Sequence, residues 1–253
     1  MKVLALANYL GEDRVLGDLK KLVEREKVDF IVFAGGIVKG LERVREFEDA
    51  EKEGRAASFE KVSHEEESDL KQYELFFKGL GELNTPVFYI PGKFDAPIDR
   101  YLREAFNYEI VYPHIRNIHK SFSFYRNHYE LVGFGGEISE KTREEKFILR
   151  YPRWEVEYHL KIIRDLRPME LIMVFYTPPY GGKLDVKDGK HTGSEVVEDF
   201  IKTYDPTFAF VGSGTEQGEE IIGTTHVINP GSLREGQYAL LNLRRREIMF
   251  KTL

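Results

Sequence analysis

The stretch 207–233, reading TFAFVGSGTEQGEEIIGTTHVINPGSL, constrains the possible fold more than any other part of the chain. Phe208, Ala209, Phe210 and Val211 form a short apolar run that stops at Gly212-Ser213-Gly214. A buried strand that feeds a glycine turn at its carboxyl end is where open α/β sheets place their chemistry. A polar loop, two short strands and the punctuation Asn229-Pro230-Gly231-Ser232 follow. The layout is that of a catalytic loop, yet its glycine turn carries only the hydroxyls of Ser213 and Thr215, neither a strong metal ligand nor an activated nucleophile.

Other segments repeat this strand-then-turn pattern. Residues 3–7 form an apolar strand, and after Gly11 the positions Val15, Leu16, Leu19, Leu22 and Val23 recur at helical spacing. Residues 29–34 form a second buried strand closed by Gly35-Gly36, which completes a βαβ unit with a right-handed crossover. The charge-dense region that follows predicts helices at 41–53 and 65–82, separated by a break at 54–63. The first of these is mostly polar. It is either a solvated helix, a projecting arm, or a surface packed on a second copy of the chain.

Further on, strands are predicted at 86–90 and 171–175, and an antiparallel pair at 118–125 and 129–134 that ends at Gly135-Gly136. Helices are expected at 96–106, at 152–167 with Trp154, Val156, Leu160, Ile163 and Leu166 facing inward, and at 192–204 with Thr192 or Ser194 as cap. A hairpin of 238–243 with 247–251 closes the chain. No internal repeat or linker interrupts it, so residues 1–253 read as one domain with a charged helical insertion at about 41–65.

Composition narrows the function classes. A chain of 253 residues buries roughly 70% of its unfolded surface, ample for a large core. Basic and acidic residues are mixed, with a net charge of −6, which argues against nucleic acid or an anionic membrane as the main partner. The absence of Cys excludes disulfides, thiol nucleophiles and thiolate zinc sites. No signal-peptide pattern opens the chain and no apolar run reaches the ~20 residues of a membrane span, so a cytoplasmic location is expected. Charged residues at 32% with only 4 Met fit a heat-adapted source that relies on surface ion pairs, and equally an ordinary charged protein.

Five strand-to-loop junctions carry Gly or Pro just past an apolar strand: Asn8 to Gly11, Gly35-Gly36, PGKFDAP from Pro91, FYTPPYGG from Phe175, and VGSGTEQG from Val211 with INPGSL beyond it. Their order and spacing resemble the calcineurin-like metallophosphoesterase family over nearly the whole chain. The resemblance implies an α/β fold, a four-layer α/β/β/α sandwich of two mixed sheets. It also implies a dinuclear metal site on five loops, whose motifs read Asp-x-His, Gly-Asp, Gly-Asn-His-Asp or -Glu, a lone His before Pro-Pro, and Gly-His-x-His.

Set against those motifs, the ligand positions carry other residues. Asn8 and Leu10 stand at the first, Gly36 at the bridging acid, Lys93 and Phe94 in the third motif, Tyr176 at the lone His, and Ser213 and Thr215 at the last pair. Only Asp95 of the third motif is kept, and in the family the corresponding acid acts around the catalytic His rather than as a ligand. Divalent cations need carboxylate, imidazole or several oxygen ligands, and a two-metal mechanism needs a bridging carboxylate. The expectation is therefore that no metal cofactor binds in the family manner.

Two substitutions suggest other chemistry. Lys93 puts a positive charge where cations would sit, and with the backbone N–H groups of Gly35, Gly36, Gly212 and Gly214 it could hold a phosphate-like anion. Alternatively it reaches across to Asp95 or Glu216 and neutralises a carboxylate. Of the seven His, His64 and His159 read as surface or packing residues, and His226 packs or pairs within a strand. His191, beside Asp185 and Asp188, either joins a relocated metal site or is simply solvated on its loop.

Two functional readings follow. The first is a non-catalytic binding or scaffold protein that keeps the sandwich without its metals, with a phosphate-like ligand in the former cleft and a homo-oligomer formed through the 41–65 arm as a compatible addition. The alternative is an active phosphoesterase with a rearranged site, using Asp95 as base and Lys93 as electrostatic stabiliser with Tyr176 and His191.

Overall fold

The computed structural model describes residues 1–166, 168–187, 189–213 and 216–253, with only the backbone of Lys187. Its strands and helices alternate along the first half as β1 (Lys2–Leu6), α1 (Arg14–Glu26), β2 (Phe30–Phe33), α2 (Leu41–Glu53), α3 (Glu65–Gly81), β3 (Val87–Tyr89), α4 (Ile98–Val111) and β4 (Ile115–Asn117). Then come β5 (Ser121–Tyr125), β6 (Tyr129–Phe134), β7 (Glu137–Ile138), β8 (Arg150–Tyr151), α5 (Arg153–Leu160), α6 (Ile163–Leu166) and β9 (Glu170–Phe175). The chain ends with β10 (Val186–Lys187), β11 (Lys190–His191), α7 (Glu195–Tyr204), β12 (Phe208–Val211), β13 (Gly218–Ile222), β14 (Thr225–Asn229), β15 (Gln237–Asn242) and β16 (Glu247–Thr252).

Two six-stranded mixed sheets result, in the orders β16-β15-β1-β2-β3-β4 and β13-β14-β12-β9-β6-β5. In the first, β1 to β4 run parallel and β15 and β16 add antiparallel strands at one edge. In the second, β14, β12, β9 and β6 run parallel between antiparallel β13 and β5.

The layering follows from side-chain alternation along strands buried on both faces. Leu4, Leu6, Ile31 and Phe33 pack outward with Leu19 and Leu22 of α1 and with Phe76 and Phe77 of α3. Their neighbours Val3, Ala5, Phe30 and Val32 face the second sheet and meet Ile172, Val174, Phe208 and Phe210. Met173, Phe175, Ala209 and Val211 point the opposite way, with Val156, Ile163, Val197 and Ile201 of the outer helices. These three apolar layers define the α/β/β/α sandwich. Among the described residues no helix is long and apolar enough to cross a membrane.

Several local expectations change. Helix α2 does not project: Arg43 is buried and pairs with Asp69 at 2.6 Å, and the Phe47 ring stacks near Phe147 with centroids 6.1 Å apart. A buried cation and a ring seated on an aromatic partner were hidden within a charge-rich segment, where polarity alone reads as solvation. The helix expected at 96–106 runs instead as Ile98–Val111. The one expected at 152–167 divides into α5 and α6, and its far end, Arg167, lies outside the described residues. Trp154 faces outward at 62% exposure, because α5 buries only Glu155, Val156 and Leu160. Ser194 takes the N-cap position of α7 without a side-chain capping bond, while the Thr192 hydroxyl donates to the Asp185 carbonyl.

Candidate functional site

The carboxyl ends of β1, β2, β3, β9 and β12 bring their loops to one place. Backbone bonds join the first two: Asn8 N–H donates to Gly35 O at 2.8 Å, Leu10 N–H to Gly36 O at 3.0 Å and Gly11 N–H to Ile37 O at 3.0 Å. Asn8 and Leu10 hold φ of 55° and 48°, a left-handed conformation that non-glycine residues adopt at a cost. The Asn8 side chain then reaches the fifth loop, its Nδ2 donating to Gly212 O at 2.6 Å. Asn229 of the Asn-Pro-Gly-Ser turn donates through Nδ2 to Ser213 O at 3.3 Å, which anchors that loop from behind.

Asp95 ties the second and third loops together. It is fully buried, and its carboxylate accepts from the N–H groups of Gly36 (3.2 Å), Ile37 (2.9 Å), Val38 (2.9 Å) and Gly92 (2.6 Å). Burial pushes its carboxyl up to about 6, and the four N–H donors pull against that shift. Both oxygens are committed to the backbone, so this carboxylate acts as a staple between loops and offers no free lone pair to a substrate proton.

Tyr176 occupies the middle of the cluster. A Cβ built on Gly35 would lie 2.8 Å from its Cδ2, and one on Gly92 2.8 Å from its Cε2, so the ring rests on two side-chain-free backbones. Its hydroxyl faces the Ser213 side chain and the Lys93 backbone, both of which favour the charged form and oppose the effect of burial. Burial first, then the nearby charges of Asp95 and Glu137, hold the phenol well above its ordinary value. It is thus neutral across the physiological range.

Lys93 meets neither Asp95 nor Glu216. Its ammonium pairs with Glu137 at 3.5 Å, and Glu137 also takes Arg150 Nε at 2.8 Å. Arg150, 3% exposed, continues to Glu51 of α2 at 3.2 Å. Burial alone would raise the Glu137 carboxyl, but Lys93 and Arg150 outweigh it and hold it below its usual value. Glu137 and Arg150 had not been singled out in the sequence. The one available signal for Glu137 was its place directly after Gly135-Gly136 at a strand end, and Arg150 had none.

The remaining candidates fall into two groups. Phe94 is half-buried, and its carbonyl accepts from Arg43 Nη2 at 3.0 Å. His191 makes its contacts away from this cluster, with Asp185 at 2.8 Å and the Tyr180 ring. Asp185 is itself fully buried and also accepts from the N–H groups of Gly181 and Gly193. Gly214, Thr215 and Asp188 lie outside the described residues.

The resemblance implies two divalent cations, and the side chains described here do not fit them. The gathered groups are one amide, one phenol, one serine hydroxyl and one ammonium, with the Asp95 carboxylate saturated by N–H donors and that of Glu137 paired with Lys93 and Arg150. A Cβ at Gly36 would run into Asn8 Oδ1, so a bridging acid has no room at that position. Among the described residues, no group of three or more His, Asp or Glu side chains is arranged to hold a metal.

Comparison with known proteins places this geometry. The chain matches the metallophosphoesterase family of the calcineurin superfamily over residues 1–253. One solved crystal structure is 39% identical, with a TM-score of 0.94 over 99% of this chain and 98% of the other. A protein of Thermus thermophilus, TT1561, is 34% identical with a TM-score of 0.80 over 99% of this chain and 98% of its own. A dimetal phosphatase from Danio rerio shares the fold at 12% identity, with a TM-score of 0.68 over 100% of this chain and 95% of that one. No curated protein matches the chain. A family match along the full length, together with two near-complete structural matches above 30% identity, shows that this chain belongs to the metallophosphoesterases of the calcineurin superfamily.

Proposed function

We propose that this chain is a non-catalytic binding or scaffold member of its superfamily, one that has given up dinuclear metal chemistry. The observation that carries this reading is the Tyr176 ring lying on Gly35 and Gly92, with the Asn8 amide donating to Gly212 O beside it. Side chains at the loop ends are spent on backbone groups and on an ion pair, Asn8 on Gly212 O, Asp95 on N–H groups and Lys93 on Glu137, where a metal centre would need them turned inward as ligands. Elemental analysis of the purified protein, paired with a bis-phosphate ester assay in added manganese, tests it. The expected result is far less than one metal per chain and no turnover. Stoichiometric metal with turnover would overturn it.

A phosphate-like anion at the same cleft is a second reading, favoured by the geometry of Glu137. That carboxylate holds Arg150 at 2.8 Å but Lys93 only at 3.5 Å, so Lys93 can turn to an anion while Glu137 keeps a partner. Inorganic phosphate titrated by calorimetry should bind, and Lys93→Ala should abolish the heat. The rearranged hydrolase is less well supported, because Asp95 has no lone pair free to act as its base.

A further inference from the structure

Away from the loop cluster, helices α5, α6 and α7 enclose a groove of about 740 Å³ on the outer side of the second sheet. That volume lies within the range of small-molecule sites. Its walls are aromatic. Trp154 and Tyr158 stand 62% and 59% exposed on one side, and Phe200 and Tyr204 stack with centroids 5.6 Å apart on the other. The charged lining is Arg153, Lys161, Arg164 and Lys202 against Glu157 and Asp199, an excess of cations in a chain whose net charge is −6.

Among the described residues, two of those cations have no acidic partner. Arg153 is engaged by Asp199 at 3.0 Å, and Lys202 by Glu198. Lys161 instead lies 4.4 Å over the Tyr158 ring, and Arg164 spends its Nε on the Tyr204 hydroxyl at 3.2 Å. Among the described residues neither has a carboxylate within salt-bridge distance. The Arg164 bond leaves its terminal amino groups as donors beside an aromatic wall.

We propose that this groove binds a planar aromatic ring carrying a phosphate, the chemistry of a nucleoside monophosphate. The ring stacks on Trp154 or Tyr158, since every base offers a π-face to an aromatic side chain. The phosphate is taken by Arg164 and Lys161, since a planar guanidinium matches its oxygens two at a time. Neither group alone satisfies both walls, so the two parts of the ligand act together. The site is independent of the cleft, and metal content there leaves this inference untouched.

The chain supplies its own reporter, because Trp154 is its one tryptophan. Titrating AMP into the full chain should quench that emission saturably, with a dissociation constant of about 1 mM or tighter. Adenosine and inorganic phosphate should each bind at least about tenfold more weakly. Lys161→Ala with Arg164→Ala should weaken AMP by about tenfold or more while adenosine is unchanged, with circular dichroism confirming an intact fold. The inference is overturned by any of four results. These are no saturable change with AMP, phosphate alone binding as well as AMP, AMP binding that survives the double substitution, and light scattering that shows a dimer whose blue-shifted Trp154 ignores every titrant.

Discussion

Replacing Asp95 by Asn keeps its size and removes its charge, so the outcome isolates what the carboxylate does. One oxygen accepts from Ile37 and Val38, and the other from Gly92, Gly36 and, at 3.2 Å, Ile37 again. An amide can present its oxygen to one of these sets only. Its NH2 group would then face at least two backbone donors in a site with no solvent access. Each buried donor left without an acceptor costs about 1–3 kcal/mol, which puts the substitution at about 2–6 kcal/mol. Against a total stability of about 5–15 kcal/mol, such a loss is severe.

Guanidinium unfolding of both proteins at neutral pH measures it. A difference below about 1 kcal/mol would refute the claim that Asp95 staples the loops. The pH dependence adds a second check. Burial lifts this group from 3.8 to about 6 in the fold, so folding favours the protonated form relative to the unfolded chain, while the carboxylate predominates at neutral pH. Its contribution is complete below the unfolded value and is lost as pH rises through about 6, a change of about 3 kcal/mol. The gap between wild type and Asp95→Asn should therefore narrow by that amount between acid and neutral pH. A gap that widens instead would mean that the four N–H donors outweigh burial.

Three further substitutions probe the surroundings. Tyr176→Ala should cost about 3–5 kcal/mol by the cavity it leaves, read by thermal unfolding, whereas Tyr176→Phe keeps the ring and should lose only about 1 kcal/mol. Gly36→Ala meets both a φ of 89° and the Asn8 amide, and should destabilise by about 1–3 kcal/mol or more in the same assay. Arg43→Ala leaves buried Asp69 with Arg100 alone and should cost about 3–5 kcal/mol, whereas a neutral outcome would show that the pair is dispensable.

Much of the framework is legible in the amino-acid sequence. The runs FIVF, ELIMVF and FAFV are apolar on both faces, which only a sheet covered on both sides accommodates, and each ends in Gly, Pro or a small polar turn. The expected helix pair at 41–53 and 65–82 appears as α2 and α3 because the Gly54 break is local chemistry, Gly54 closing α2 in a left-handed C-cap. The short strand β4 was missed, since its few residues pair with β3 from beyond a whole helix. Within the site, the gathering of Asn8, Gly36, Lys93, Asp95, Tyr176 and Ser213 followed from their positions just past strands. The ion pairs did not.

Sequence alone thus determined which residues reach the loop end of the sandwich, because strand periodicity and glycine turns act over a few neighbouring residues. Tertiary structure decided what those residues do there. Whether Lys93 meets Asp95, Glu216 or Glu137 depends on distances between segments far apart in the chain, and only packing sets those. The same holds for Asp95, whose four donors come from two loops that share no local signal. It also holds for Trp154, whose side of the helix is chosen by where the second sheet lies.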